Sequence, residues 1–333
     1  MASWREVQRQ NFTCWEDLAE FLELSQEYYP AILQNSHFPL NLPLRLAQKI
    51  QKDCWEDPIL CQFLPTNKEN LPSFGFQPDA VGDVPAKKTS KLLQKYAGRA
   101  LLLATSSCAM NCRFCFRQHY DYETQDKSFD REIEIIRQDT TLTEIILSGG
   151  DPLSLSDQVL GTILERVAQI PHLKRIRFHT RFPLGIPERI DESFLTLLAK
   201  TPKQIVFIIH TNHARELDDD VLQALKKIQR LGIPVLNQSV LLKGVNDNVT
   251  TLKELFEKLA DHGVLPYYLH QLDRTERTAH FEVDEDKGRV LMDELSGLLS
   301  GYALPKYVRE EPGRVSKTQL ISHLQSIACT RSA

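Results

Sequence analysis

The densest chemistry in this sequence lies in three cysteines. They fall at 108, 112 and 115 in Ser107-Cys-Ala-Met-Asn-Cys-Arg-Phe-Cys-Phe-Arg117, a CxxxCxxC spacing. Three thiolates on one short loop can hold a metal centre, but a closed tetrahedral zinc or a closed four-iron cluster takes four protein ligands. No cysteine or histidine at 116–118 offers the fourth. One iron of a cluster would therefore stay open, free to bind a small chelating ligand and hand it an electron. The loop predicts radical chemistry. Its alternative is a zinc knuckle closed by His119, four residues past Cys115, which spacing alone leaves standing.

Further on, Leu147-Ser148-Gly149-Gly150-Asp151-Pro152 places two glycines where a ligand could approach the backbone, although a plain strand-to-helix turn would look the same. Polar residues then recur where later apolar runs end: His179 and Arg181, His210 and Asn212, Asn237 and Gln238. Each alone reads as structural, and the recurrence is the signal. Arg181 suits a bidentate carboxylate, and His210 and Gln238 suit hydrogen bonds to a polar ligand. Lys317, which ends Leu304-Pro-Lys-Tyr-Val-Arg-Glu-Glu-Pro-Gly-Arg-Val-Ser-Lys317, reads by itself as a solvated surface charge.

The elements that must position these residues follow from the pattern. Apolar runs at 100–104, 144–147, 175–178, 204–209, 234–238 and 267–269 predict strands. Amphipathic stretches at about 128–138, 156–169, 187–200, 215–231 and 249–262 predict helices, with Asp157, Asp191 and Asp218–Asp220 in acidic first turns. Six such repeats are too few for a closed eight-stranded barrel. They predict an α/β fold, an open six-strand (β/α)6 partial TIM barrel, with ligands beyond the carboxyl ends of the strands. The cysteine loop follows the first strand directly.

Before it, residues 1–95 read as a helical extension, with a helix from Trp15 capped by Thr13 and a second around Leu44–Ile50. The segment from Pro65 to Pro85 reads as irregular linker. Residues 96–285 make the barrel and 286–333 a C-terminal segment.

The composition is that of an ordinary globular protein: 333 residues, 42% hydrophobic, 25% charged, net charge −4. It carries no basic surplus for general nucleic-acid binding. No apolar run suggests a membrane span and the first residues carry no secretory pattern, so the expectation is a cytoplasmic protein. Cys14, Cys54, Cys61 and Cys329 are scattered, which predicts no disulfide framework, and the first three read as small core residues rather than metal ligands. An oligomer is compatible with all of this.

The chain from about Tyr96 to Lys317 resembles the lysine 2,3-aminomutase family of radical S-adenosylmethionine (SAM) enzymes. The resemblance rests on the CxxxCxxC loop, the Gly-Gly-Asp element and the Pro312-Gly313…Lys317 turn. It implies a [4Fe-4S] cluster on Cys108, Cys112 and Cys115. It implies SAM held by Ser148, Gly149, Gly150, Asp151, Arg181, His210 and Gln238. Pyridoxal phosphate (PLP) would form a Schiff base with Lys317, its phosphate near Arg99 and Tyr96. The substrate L-lysine would meet Arg117 at its carboxylate and Asp273 and Glu310 at its distal ammonium. Arg314, Val315 and Ser316 stand where the family turn has glycines, and Glu310 where it has aspartate.

The short C-terminus and the helical preface are most similar to the branch that makes (R)-β-lysine for elongation factor P, where a lysyl-tRNA-synthetase-like ligase attaches it. The family's C-terminal cysteine-rich metal segment has no counterpart beyond Cys329. The nearest alternatives are a radical aminomutase for another amino acid and a non-catalytic iron–sulfur or zinc regulator.

Overall fold

The computed structural model describes residues 3–123 and 128–320. One nine-stranded sheet runs in sequence order: β1 (Leu92–Tyr96), β2 (Arg99–Thr105), β3 (Glu144–Gly149), β4 (Arg175–Thr180), β5 (Gln204–Ile209), β6 (Val235–Val240), β7 (Leu265–His270), β8 (Lys306–Arg309) and β9 (Thr318–Gln319). Strands β2 to β8 pair in parallel, and β1 and β9 add antiparallel edges, so the sheet stays open. The six expected strands are all present. The additional β8 was illegible because Lys306-Tyr-Val-Arg309 is only four residues long, follows Pro305 and runs into Glu310 and Glu311.

Alternation along each strand divides its residues between two environments. A row of Leu147, Phe178, Phe207 and Val235 runs across β3 to β6 in register, buried beneath the helices. Phe178 and Phe207 stack at 5.8 Å. Truncating such a ring costs ~3–5 kcal/mol. The residues between them, among them Ser148, His179 and Gln238, face the inside of the barrel.

The helices fit their sequence signals. In Asp219–Arg230 the residues Val221, Leu222, Ala224, Leu225 and Ile228 are buried while Gln223, Lys226 and Lys227 face solvent. Asp218 accepts a hydrogen bond from the Val221 N–H at 2.9 Å, and Asp191 does the same for Phe194.

The N-terminal extension is less helical than its pattern suggests. Its helix Trp15–Leu22 begins after Cys14 rather than Thr13, and Cys14 makes no side-chain cap. The second helix spans only Leu44–Ala47. Leu18, Leu42, Leu46 and Phe63 of this extension share one apolar core with Ile145, Phe178 and Phe207 of the barrel. Cys14, Cys54 and Cys61 are half-buried and unpaired, and Cys329 lies outside the described residues. Among the described residues no helix is long and apolar enough to cross a membrane.

Candidate active site

A cavity of about 530 Å³ opens at the carboxyl ends of the strands. Every residue assigned above to cluster, SAM, PLP or substrate lines it: Cys108, Cys112 and Cys115 on one side, Ser148 to Asp151, Arg181, His210 and Gln238 along the strand ends, and Arg117, Tyr96, Arg99, Asp273, Glu310 and Lys317 around the rest. Asn237 is the exception among the rim residues, because its amide is turned inward onto Thr211 and Ser239.

At the cysteine end, burial pushes all three thiols up in pKa, Cys115 to about 11 with the neighbouring Cys112 adding to it. Such thiols stay protonated until a cationic centre holds them as thiolates. Among the described residues no three Cys, His, Asp or Glu side chains are drawn tightly enough to hold a single metal ion. The thiolates of a four-iron cluster sit on different irons and stand wider apart. Three buried thiols facing one cavity fit that arrangement.

The Gly-Gly-Asp element proves to be bound to this loop. Gly150 N–H donates to Thr105 O at 2.6 Å and Asp151 N–H to Ser107 O at 2.8 Å. A Cβ on Gly149 would stand 2.4 Å from Thr105 O, and one on Gly150 would stand 2.3 Å from Ser107 O. The glycines thus let the chain's own backbone approach. The Asp151 carboxylate accepts from Thr180 Oγ1 and from the N–H groups of Leu153, Arg181 and Phe182, fixing the end of β4. Arg181 is also engaged: its guanidinium donates to Cys112 Sγ at 2.9 Å, Gln62 Oε1 at 2.7 Å and Glu216 Oε2 at 2.7 Å, while its Nε finds no partner.

The opposite end is assembled from distant segments. Lys317 pairs with Glu310, whose other oxygen accepts from Tyr96 Oη at 2.6 Å. Burial works to raise the Glu310 pKa, but the Lys317 ammonium and these hydrogen bonds outweigh it and hold the carboxyl below its ordinary range. Arg99 lies over the Tyr96 ring at 4.4 Å. Arg314 and Val315 point into solvent, so two of the three side chains that replace the turn glycines stay out of the cavity, while Ser316 and Lys317 line it.

Asp273 differs from Glu310. Burial pushes its pKa up to about 7, with Lys317 opposing and Glu310 reinforcing the shift. A cation brought beside Asp273 would be met by a carboxyl ready to ionise.

Two residues at this end were given no role from the sequence. Asp83, in the stretch that reads as linker, accepts from Arg117 Nε at 2.6 Å and pairs with Lys95 at 2.7 Å; Arg117 also reaches Ser148 Oγ at 3.3 Å. The linker is placed there by Gly82, which has positive φ and packs against Pro312. His270 was visible, in Tyr267-Tyr-Leu-His-Gln-Leu-Asp273, but nothing in the motif assigned it. With His179 and His210 it presents a buried Nε2 without a partner to the cavity. Burial keeps all three imidazoles neutral, His210 down to about 4 with Arg181 and Arg117 adding to it. Three unsatisfied nitrogens on one wall mark the berth of a polar ligand.

Residues 102–259 match the Radical SAM superfamily. Over 286 residues the chain is 42% identical to an L-lysine 2,3-aminomutase of Escherichia coli (strain K12), covering 85% of this chain and 83% of that one. The chain belongs to the lysine 2,3-aminomutase family. Other relatives carry the same name: one from Haemophilus influenzae (strain ATCC 51907 / DSM 11121 / KW20 / Rd) is 38% identical, covering 88% of this chain and 87% of its own. Another, from Clostridium subterminale, is 31% identical over 96% of this chain and 77% of its own. Radical SAM aminomutases of this family use a [4Fe-4S] cluster, SAM and PLP, and the buried thiols, the unsatisfied imidazoles and the Lys317–Tyr96–Arg99 group suit those three in turn.

Proposed function

We propose that this protein isomerises L-lysine to (R)-β-lysine by moving the amino group from C2 to C3. The observation that carries the reading is the convergence of Cys108, Cys112 and Cys115 with Lys317 and Asp273 on one cavity, although loop and lysine lie at opposite ends of the barrel's sequence. When bound, the cluster with SAM supplies one-electron hydrogen abstraction and PLP supplies the π-system through which nitrogen migrates.

The chain's own residues do the rest. Cys108, Cys112 and Cys115 hold the cluster, and Ser148, Gly149, Gly150, Asp151, Arg181, His210 and Gln238 form the SAM wall. Arg99 and Tyr96 receive the PLP phosphate, and Lys317 anchors its aldehyde carbon. Arg117, held by Asp83, faces the substrate carboxylate. Asp273 takes the distal ammonium, with Glu310 beside it to reinforce the negative potential. Together they place C3 of lysine near the radical source and exclude water and oxygen, which a carbon radical would otherwise attack.

The test is chiral product analysis after anaerobic incubation with lysine, SAM and PLP under reduction. (R)-β-lysine is expected, and SAM cleavage without any β-lysine would sink the reading. In the cytoplasm the product would serve to modify elongation factor P. Supporting this branch, the enterobacterial relative is more similar (42%) than the clostridial one (31%). A mass of elongation factor P unchanged by deletion of the gene would count against it.

A further inference from the structure

The loop from Cys108 to Cys115 has no helix or strand of its own. The backbone groups that it buries must nonetheless find partners. Besides two turns at its end, Cys115 N–H to Cys112 O at 3.0 Å and Gln118 N–H to Cys115 O at 3.4 Å, its backbone partners lie in the N-terminal extension. Asn111 N–H donates to Asn41 O at 2.9 Å and Arg113 N–H to Gln62 O at 2.9 Å. In return Asn11 Nδ2 donates to Ala109 O at 2.7 Å and Asn41 Nδ2 to Cys108 O at 3.4 Å.

Between the second and third cysteines stands Arg113, fully buried against Glu69 of the extension. Neither side chain of this pair is exposed, and Arg113 Nε donates to Glu69 Oε1 at 2.8 Å. The same guanidinium also reaches Ser36 Oγ and Phe38 O. Gln62, wholly buried, joins this contact to the barrel. Its Oε1 accepts from Arg181 at 2.7 Å and Asn212 at 3.0 Å, and its Nε2 donates to Glu216 Oε1 at 3.2 Å. The barrel supports the loop through the Gly-Gly-Asp turn at its start, through Arg181 on Cys112 Sγ and through Phe281 against Phe114, and the extension supports its other face.

We propose that the N-terminal extension is the second half of the cluster site, with two positioning residues that fix the spacing of the three thiols: Glu69 through Arg113, and Gln62 through its side chain on Arg181, which donates to Cys112 Sγ. Neither touches the cluster. A loop whose three ligands must stay in register with three irons, while the fourth iron remains open, cannot rely on a fourth ligand to pull it back into shape. The extension supplies that restraint from outside. The proposal rests on the functional reading above for the nature of the metal centre, but not for the contacts themselves.

The test uses full-length Gln62→Leu and Glu69→Gln, each with anaerobic reconstitution and two readouts. Against a chelator, iron release should accelerate by about 10–100-fold, the range for residues that orient metal ligands from behind. The visible band of PLP on Lys317, at the far end of the cavity, should remain. Hydrogen exchange, run without iron, should show protection lost at residues 109–113 and kept in β3 to β7. Glu69→Asp, which keeps the charge, should recover most of the retention. Iron release at the wild-type rate overturns the proposal, as does protection lost evenly across the sheet, which would mean general destabilisation. A wild-type protein that takes up no iron would overturn the functional reading itself, while the exchange pattern would still decide whether the extension anchors the loop.

Discussion

The two ends of the cavity are built on opposite plans. The cysteine end is local in its ligands: the three cysteines and Arg117 fall within ten residues of Cys108, on a loop pinned by backbone hydrogen bonds. The lysine end is dispersed. Asp83, Tyr96, Arg99, Asp273, Glu310 and Lys317 come from the linker, the two edges of the sheet and the end of β7. The local end relies on backbone hydrogen bonds and close glycine contacts, whereas the dispersed end relies on opposed charges. The former should therefore respond to substitution all at once and the latter residue by residue, with pH acting on it.

Breaking the local end gives the largest effect. Cys112→Ala should lose the iron signal and reduce lysine turnover to the assay background while the PLP absorbance persists; a normal cluster content in this variant would remove the triad. At the other end, Lys317→Ala should abolish the visible absorbance of bound PLP and leave SAM cleavage by the reduced cluster measurable. A retained band would reassign the lysine.

Asp273→Asn should be milder and more selective. A buried charge pair deprived of one partner loses ~2–5 kcal/mol, so kcat/KM for lysine should fall by about 10² or more with SAM cleavage little changed. Unchanged lysine kinetics would take Asp273 out of the substrate pocket. The same residue sharpens the comparison through pH. Its folded pKa of about 7 lies above the ordinary range for aspartate, so between those values the folded protein binds more protons than the unfolded chain. Stability should then fall as pH rises toward 7 and level off above it. Asp273→Asn should accordingly raise the Tm of the cofactor-free protein more at pH 8 than at pH 5, and an equal shift at both would show that burial does not hold the proton there.

The smallest effect is expected at Val315, which is 90% exposed: Val315→Gly should leave PLP affinity within about twofold, as a surface change within ±0.5 kcal/mol would. A tenfold gain would show that the turn presses on the cofactor.

The contrast also explains what could be read from sequence. The cysteine loop was legible because its ligands share a spacing, and the strand ends because polar residues recurred after apolar runs. Asp83 was not: it sits in a segment without period, brought to Arg117 and Lys95 by tertiary contacts such as Gly82 against Pro312 and Lys95 on Val81 O. A further role of the Gly149–Gly150 pair was hidden for a related reason. Glycine in a sequence announces that something comes close, and here the approaching groups are the carbonyls of Thr105 and Ser107, not a ligand alone. The extension's part in holding Arg113 was hidden in single residues, Gln62 and Glu69, that no local pattern distinguishes from surface polar groups.

The pairing of β8 with β9 has a bearing on how this family can diverge. Val308 faces Gln319 and Arg309 faces Thr318 across the antiparallel edge, which sets Glu310 and Lys317 side by side as the next pair and leaves residues 311–316 as the loop between them. Because the two strands hold the lysine at the base and Pro312 is held against Gly82, the exposed side chains of Arg314 and Val315 at the tip are free to drift without moving the amine. Selection can thus rewrite the tip while the chemistry beneath it stays in place.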